Sequence, residues 1–142
     1  MIQRIQTLWL IIVAITAFAT SQLTLYVGTL PNGTELPLKL AANLLLAIVI
    51  ILLGVLALIC VFIYKNRNLQ FKLCVLGVIF SFGFLFLEYY VVENSFKPSH
   101  GIVTGSYQIG AFLPVLMIVF YFLAARSIYK DEKLVKSMNR LR

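Results

Sequence analysis

Residues 42–92 read ANLLLAIVIILLGVLALICVFIYKNRNLQFKLCVLGVIFSFGFLFLEYYVV. Two long apolar runs, 42–64 and 71–92, are separated by the basic segment KNRNLQFK at 65–72. A bilayer core about 30 Å thick needs about 20 apolar residues at about 1.5 Å of helical rise each. Each run meets that length, and Lys65, Arg67 and Lys72 between them demand a turn in a polar medium.

Working outward, the same measure finds two further runs, 8–27 and 107–125. The expected fold is an all-α membrane protein: four transmembrane helices in an up-down-up-down bundle forming one domain over residues 1–142. Composition agrees, since 61% hydrophobic and 12% charged residues lie outside the soluble range of roughly 45–50% and 25%. The four runs consume most of the chain, which leaves no length for a soluble catalytic domain.

The first run also has signal-peptide features, with Arg4 ahead of an apolar stretch and an A-x-A pattern at Ala17-Phe18-Ala19. The apolar run continues through Leu23, Leu25, Tyr26 and Val27, so a retained first helix is expected.

Ten of the twelve Lys and Arg residues fall at the N-terminus, in the 65–72 segment or after residue 125, and only Lys39 and Lys97 fall in the alternate loops. Cytoplasmic loops carry such an excess. Both termini and the 65–72 segment are therefore expected in the cytoplasm. The net charge of +7 reads as a topology signal rather than as a nucleic-acid interface.

Cys60 and Cys74 fall near the cytoplasmic ends of adjacent helices, a reducing setting in which free thiols are expected. On the other side, the segment GTLPNGTELPLK contains Asn32-Gly33, a pair suited to a tight hairpin turn. A small extracytoplasmic β-hairpin cap follows, to which GIVTGSY can add a strand. The connection ENSFKPSHGIVTGSY contains Pro98, Gly101 and Gly105 and reads as the longest loop.

Small and weakly polar residues mark helix faces that meet in lipid. At helical spacing Gly77, Ser81, Phe84 and Glu88 share one stripe, Asn43, Ala47 and Gly54 a second, and Thr7, Ala14, Ala17 and Ser21 a third. Pro114 frees the carbonyl of Gly110 and should bend the fourth helix.

Glu88 is the one acidic residue well inside a predicted helix, and with Ser81 and Asn43 it makes a candidate intramembrane polar site. Its neighbours Tyr89 and Tyr90 look like an interfacial belt, so a carboxylate hydrogen-bonded to another helix is the expected role. His100 lacks a second histidine or an outer cysteine, and a solvated loop position is expected for it. No catalytic, cofactor-binding or metal-ligating constellation is read, and the protein is expected not to be an enzyme.

The segment 126–142, ARSIYKDEKLVKSMNRLR from Ala125, reads as a basic amphipathic helix. Ile128, Leu134, Val135, Met138 and Leu141 cover one arc, and Glu132, Lys133, Lys136 and Arg140 the other. Such a helix lies in anionic inner-leaflet headgroups or docks a partner. Lys65, Arg67, Lys130, Lys133, Lys136, Arg140 and Arg142 are the candidate contacts, with inner-leaflet lipid and a membrane or cytoplasmic protein as partners.

The opening MIQRIQT, the inner segment YKNRNLQ and the close KDEKLVKSMNRLR resemble an uncharacterised family of small four-helix bacterial inner-membrane proteins. The resemblance covers essentially the whole length, and Met138-Asn139 departs from its usual small and acidic pair. It implies fold and location and carries over no catalytic residue. The resulting reading is a non-enzymatic accessory or scaffold subunit acting through a basic cytoplasmic face. The alternative is a small lipid-binding or transport protein with its site around Glu88.

Overall fold

A computed structural model describes residues 2–139, with side chains described for 5–135 and 137. Four long helices make the frame: α1 (Ile2–Gln22), α2 (Leu44–Phe62), α3 (Arg67–Val91) and α5 (Ile109–Asn139). All four are long and apolar enough to cross a membrane. Each starts or stops for a local reason. Asn43 Oδ1 accepts from the backbone N–H of Leu45 and Leu46, and Asn66 Oδ1 accepts from Leu69 N, so both helix openings have their free donors capped.

The helices pack in a ring, α1 between α2 and α5, and α3 between the same two. Antiparallel order follows from the cross-links. Trp9 in the first half of α1 stacks on Phe120, the twelfth residue of α5, with centroids 5.6 Å apart. At the other end Gln108, just before α5, donates its backbone N–H to Leu25 O, just after α1. Gln70 near the start of α3 donates to Cys60 O near the end of α2 at 2.9 Å.

The core is a single stripe from each helix: Leu10 and Val13, Leu46, Ile50 and Leu53, Cys74 and Phe84, Met117, Tyr121 and Ile128. The outward faces are apolar too, with Phe18, Leu44, Phe62 and Phe86 each at least 70% exposed. The expected α3 stripe of Gly77, Ser81, Phe84 and Glu88 is buried. On α2 the buried stripe is instead Leu46, Ile50, Leu53, Ala57 and Cys60, and the small-residue stripe lies beside it. Large aliphatics fill the centre, while Gly54 lets α1 approach so closely that a Cβ on it would lie 3.2 Å from Ala17 Cβ.

Gly77 has a similar role. A Cβ there would lie 2.7 Å from the Tyr121 ring, whose hydroxyl crosses the bundle to donate to Leu53 O at 2.7 Å.

Three boundaries differ from the sequence reading. The helix expected over 8–27 ends at Gln22, and residues Thr24–Thr29 form β1. Thr24, Tyr26 and Val27 are β-branched or aromatic, and pairing on both sides overrides the apolar run that suggested a helix. The helix expected over 71–92 begins at Arg67 and continues through a π-helical turn, Val92–Phe96, into α4 (Lys97–His100). Most of the expected long loop is thus helical. Pro98 sits in the first turn of α4, where its missing N–H costs little, and Gly101 closes the helix at φ 61.

The last helix, expected over 107–125, runs from Ile109 to Asn139 and passes through Pro114 without a break. The segment after residue 125 is therefore a continuation of α5 rather than a separate surface helix. Ile128 and Asp131 are buried, whereas Leu134 and Val135 are 47% and 41% exposed, so the expected apolar arc divides between the bundle and the surface.

The cap is a three-stranded antiparallel sheet in the order β2-β1-β3, with β2 at Glu35–Lys39 and β3 at Thr104–Tyr107. The β1–β2 link spans 30–34 and is held by Leu30 N to Thr34 O and Gly33 N to Leu30 O. Only Gly33 takes a positive φ there, 77°, so the turn is wider than the two-residue form that Asn32-Gly33 suggests. Tyr26 and Leu38 from the sheet and Val92 and Phe96 from the π turn close a second small core. Val92 and Phe96, four positions apart, share that inward face.

Candidate functional site

The helix ends opposite the sheet gather the basic residues. Lys65, Lys72, Arg126, Lys130 and Lys133 are exposed and Arg67 is half-buried. The side chains of Arg4, Lys136, Arg140 and Arg142, which the sequence reading also assigned to this face, lie outside the described residues, as do those of Met138 and Leu141.

Beneath these cations sits a polar cluster. Gln6 on α1 and Asp131 on α5 are each 5% exposed, and Gln6 Nε2 donates to Asp131 Oδ2. Arg67 at the start of α3 donates to the backbone carbonyl of Asp131 at 3.5 Å. One aspartate thus ties together α1, α3 and α5. Its other oxygen, Oδ1, is buried and has no hydrogen-bond partner among the described residues. The two arcs expected for this segment left Asp131 unassigned, so the pair was not anticipated. A signal was present, because Met117, Tyr121, Ala124, Ile128 and Asp131 recur at spacings of three and four along one helix face.

The other candidate set does not converge. Ser81 is buried and donates to Gly77 O at 2.8 Å within its own helix. Asn43 is occupied as the cap of α2. Glu88 is 2% exposed, and its Oε1 has no partner among the described residues, so no bond from a neighbouring helix to that oxygen accompanies its burial. Ser81 and Glu88 are two helical turns apart, about 10 Å of rise. Cys60 on α2 and Cys74 on α3 are free and fully buried.

At the sheet end, Lys97 pairs with Glu93 at 2.5 Å and lies 5.7 Å from the centre of the Tyr26 ring. Burial raises the Tyr107 phenol above its ordinary range, and the Glu93 carboxylate adds to the effect. His100 is exposed, with Nδ1 at 2.8 Å from Ser99 Oγ and 3.1 Å from Phe96 O. Among the described residues no group of three or more His, Cys, Asp or Glu side chains is placed to hold a metal ion.

These features define a four-helix protein whose helices are long and apolar enough to span a membrane, with a small sheet at one end and cations at the other. The chain belongs to the family described as "Domain of unknown function (DUF4293)", whose model matches residues 2–141. No curated protein and no solved structure matches it.

Proposed function

We propose that the protein is a multi-pass subunit of a bacterial inner membrane, with both termini in the cytoplasm, that acts without catalysis as an accessory or scaffold through its basic face. The outward helix faces support embedding. Thirty-six large hydrophobic side chains are exposed among the described residues, far beyond the few hundred Å² of contiguous apolar surface a soluble monomer tolerates. Their solvent is lipid.

The observation that carries the scaffold reading is the Gln6–Asp131–Arg67 cluster. It draws the N-terminal segment, the 65–72 segment and the end of α5 into one unit, so that their cations form a shaped platform. A detached amphipathic tail serves equally well as an anchor whatever the order of its charges. A platform held by buried hydrogen bonds presents cations at set positions, which suits a protein partner with a matching acidic surface.

Two altered ends separate docking from plain electrostatic anchoring. In one, Lys130, Lys133, Lys136, Arg140 and Arg142 become alanine; in the other, every Lys and Arg in that set is exchanged, keeping the charge. Anchoring depends on total charge and apolar area, whereas docking distinguishes the planar guanidinium from an ammonium. Cross-linking in native membranes should show partners lost in both variants. Full retention of partners by the exchanged variant would leave only an anchor.

A further inference from the structure

A groove of about 370 Å³ opens where β2, the α2 cap and the π turn meet. Its floor is apolar, from Leu38, Val91 and Phe96, and its rim carries Asn43, Ser95 and His100. No carboxylate lines it. The acidic residues nearest to the lining in sequence are Glu35, which is exposed beside Leu36, and Glu93, which is paired with Lys97.

The rim has hydrogen-bonding capacity left over. Asn43 spends its side-chain oxygen on the α2 cap, which leaves its NH₂ group for a ligand. The Phe96 carbonyl can only accept, so His100 donates to it through Nδ1–H, which leaves Nε2 as an acceptor. Ser95 contributes a hydroxyl from an exposed position. Below the rim the surface becomes hydrocarbon: Leu44, Leu45 and Ile48 are 77%, 52% and 49% exposed on α2, and Tyr89 and Tyr90 are exposed on α3. Exposed tyrosines beside an apolar belt mark the headgroup level of a bilayer.

A rim that offers the Asn43 NH₂ and the Ser95 hydroxyl as donors and His100 Nε2 as an acceptor, above an apolar floor that opens onto an apolar helix face, fits an amphiphile whose polar end carries a phosphodiester and free hydroxyls. We infer that this groove binds the anionic phosphodiester headgroup of a phospholipid whose acyl chains lie against α2 and α3. Its volume is at the small end of the range of roughly 300–1,000 Å³ for ligand pockets, which suits a headgroup rather than an entire lipid. A choline headgroup is disfavoured, because the lining has no anion to meet its cation. The inference rests on the membrane reading above.

The test uses the full-length protein in nanodiscs of mixed phosphatidylglycerol and phosphatidylcholine, released into native mass spectrometry so that retained lipids can be identified. Phosphatidylglycerol should be retained at one copy per chain in preference to phosphatidylcholine. Ser95→Leu with His100→Leu fills the rim and removes two partners while leaving the Asn43 cap intact. Retention should fall about tenfold, the effect of losing roughly 1.4 kcal/mol of polar contact.

Thr104→Leu with Ser106→Leu, exposed on β3 and outside the groove, controls for adding leucine at this end of the protein and should leave the preference unchanged. Excess inorganic phosphate should not displace the lipid; displacement would assign the rim to a free phosphate and overturn the lipid assignment. Equal retention of the two lipids, or unchanged retention in the rim variant, would also overturn it. Membrane insertion is read separately by carbonate extraction, so a failed membrane reading shows as protein released from the bilayer and is not confused with an empty groove.

Discussion

Gln6 and Asp131 are 125 positions apart in sequence, and their side chains meet as donor and acceptor inside the bundle. The contact closes the ring of helices, joining the first to the last. Truncating one partner strands the other in a dry setting, which costs about 1–3 kcal/mol. A cycle of Gln6→Ala, Asp131→Ala and the double variant, followed by thermal unfolding in detergent, should show the double variant losing less than the sum of the singles. Additive losses would mean that the pair does not interact.

Packing between α3 and α5 hinges on Gly77. A methyl group there collides with the Tyr121 ring, so Gly77→Ala should displace the ring and weaken the Tyr121 to Leu53 hydrogen bond. Overpacking of this kind typically costs about 1–3 kcal/mol. Gly83 is the matched control, because a methyl group on it would meet nothing within 4 Å; Gly83→Ala should be neutral or stabilising by up to about 1 kcal/mol. Unfolding curves that rank the two the other way would contradict the packing described.

The proposed orientation is read with single cysteines. In a variant with Cys60 and Cys74 replaced by alanine, a cysteine at His100 should react with an impermeant thiol reagent added to intact cells. One at Asn68 should react only after lysis. Both positions are exposed, so silence cannot come from burial. Labelling of position 68 from outside would invert the topology.

Cys60 and Cys74 have no exposed surface. Buried thiols away from solvent are inert, since reagents need an accessible thiolate. Alkylation of the native protein in detergent should therefore leave both unmodified, and denaturation should expose two thiols per chain. Rapid native modification of either would show that the α2–α3 contact opens.

Glu88 tests the alternative reading. Glu88→Gln keeps the size of the side chain and removes its charge, and insertion and folding should survive. The wild-type protein in liposomes should conduct protons no faster than empty liposomes. A proton flux that Glu88→Gln abolished would replace the scaffold reading with a transport one.

Much of this architecture is legible in the order of residues alone. Four apolar runs of sufficient length specify four long helices because helical rise and hydrocarbon thickness are independent of the fold, and the α3 stripe follows from helical spacing. The clustering of cations at one end is equally visible, since alternate connections between four antiparallel helices must share an end. What stays hidden depends on neighbours distant in sequence. Residues 24–27 are apolar enough to extend α1, and they become β1 because β2 and β3 supply partners on both edges. The π turn at Val92–Phe96 turns an expected loop into helix because Tyr26 and Leu38 wait there to be covered. Asp131 points inward because Gln6, near the other end of the chain, completes its hydrogen bond. Periodicity reports which face of a helix is set apart; only the packed bundle decides what that face meets, because burying a polar group is tolerable only where a partner is brought to it.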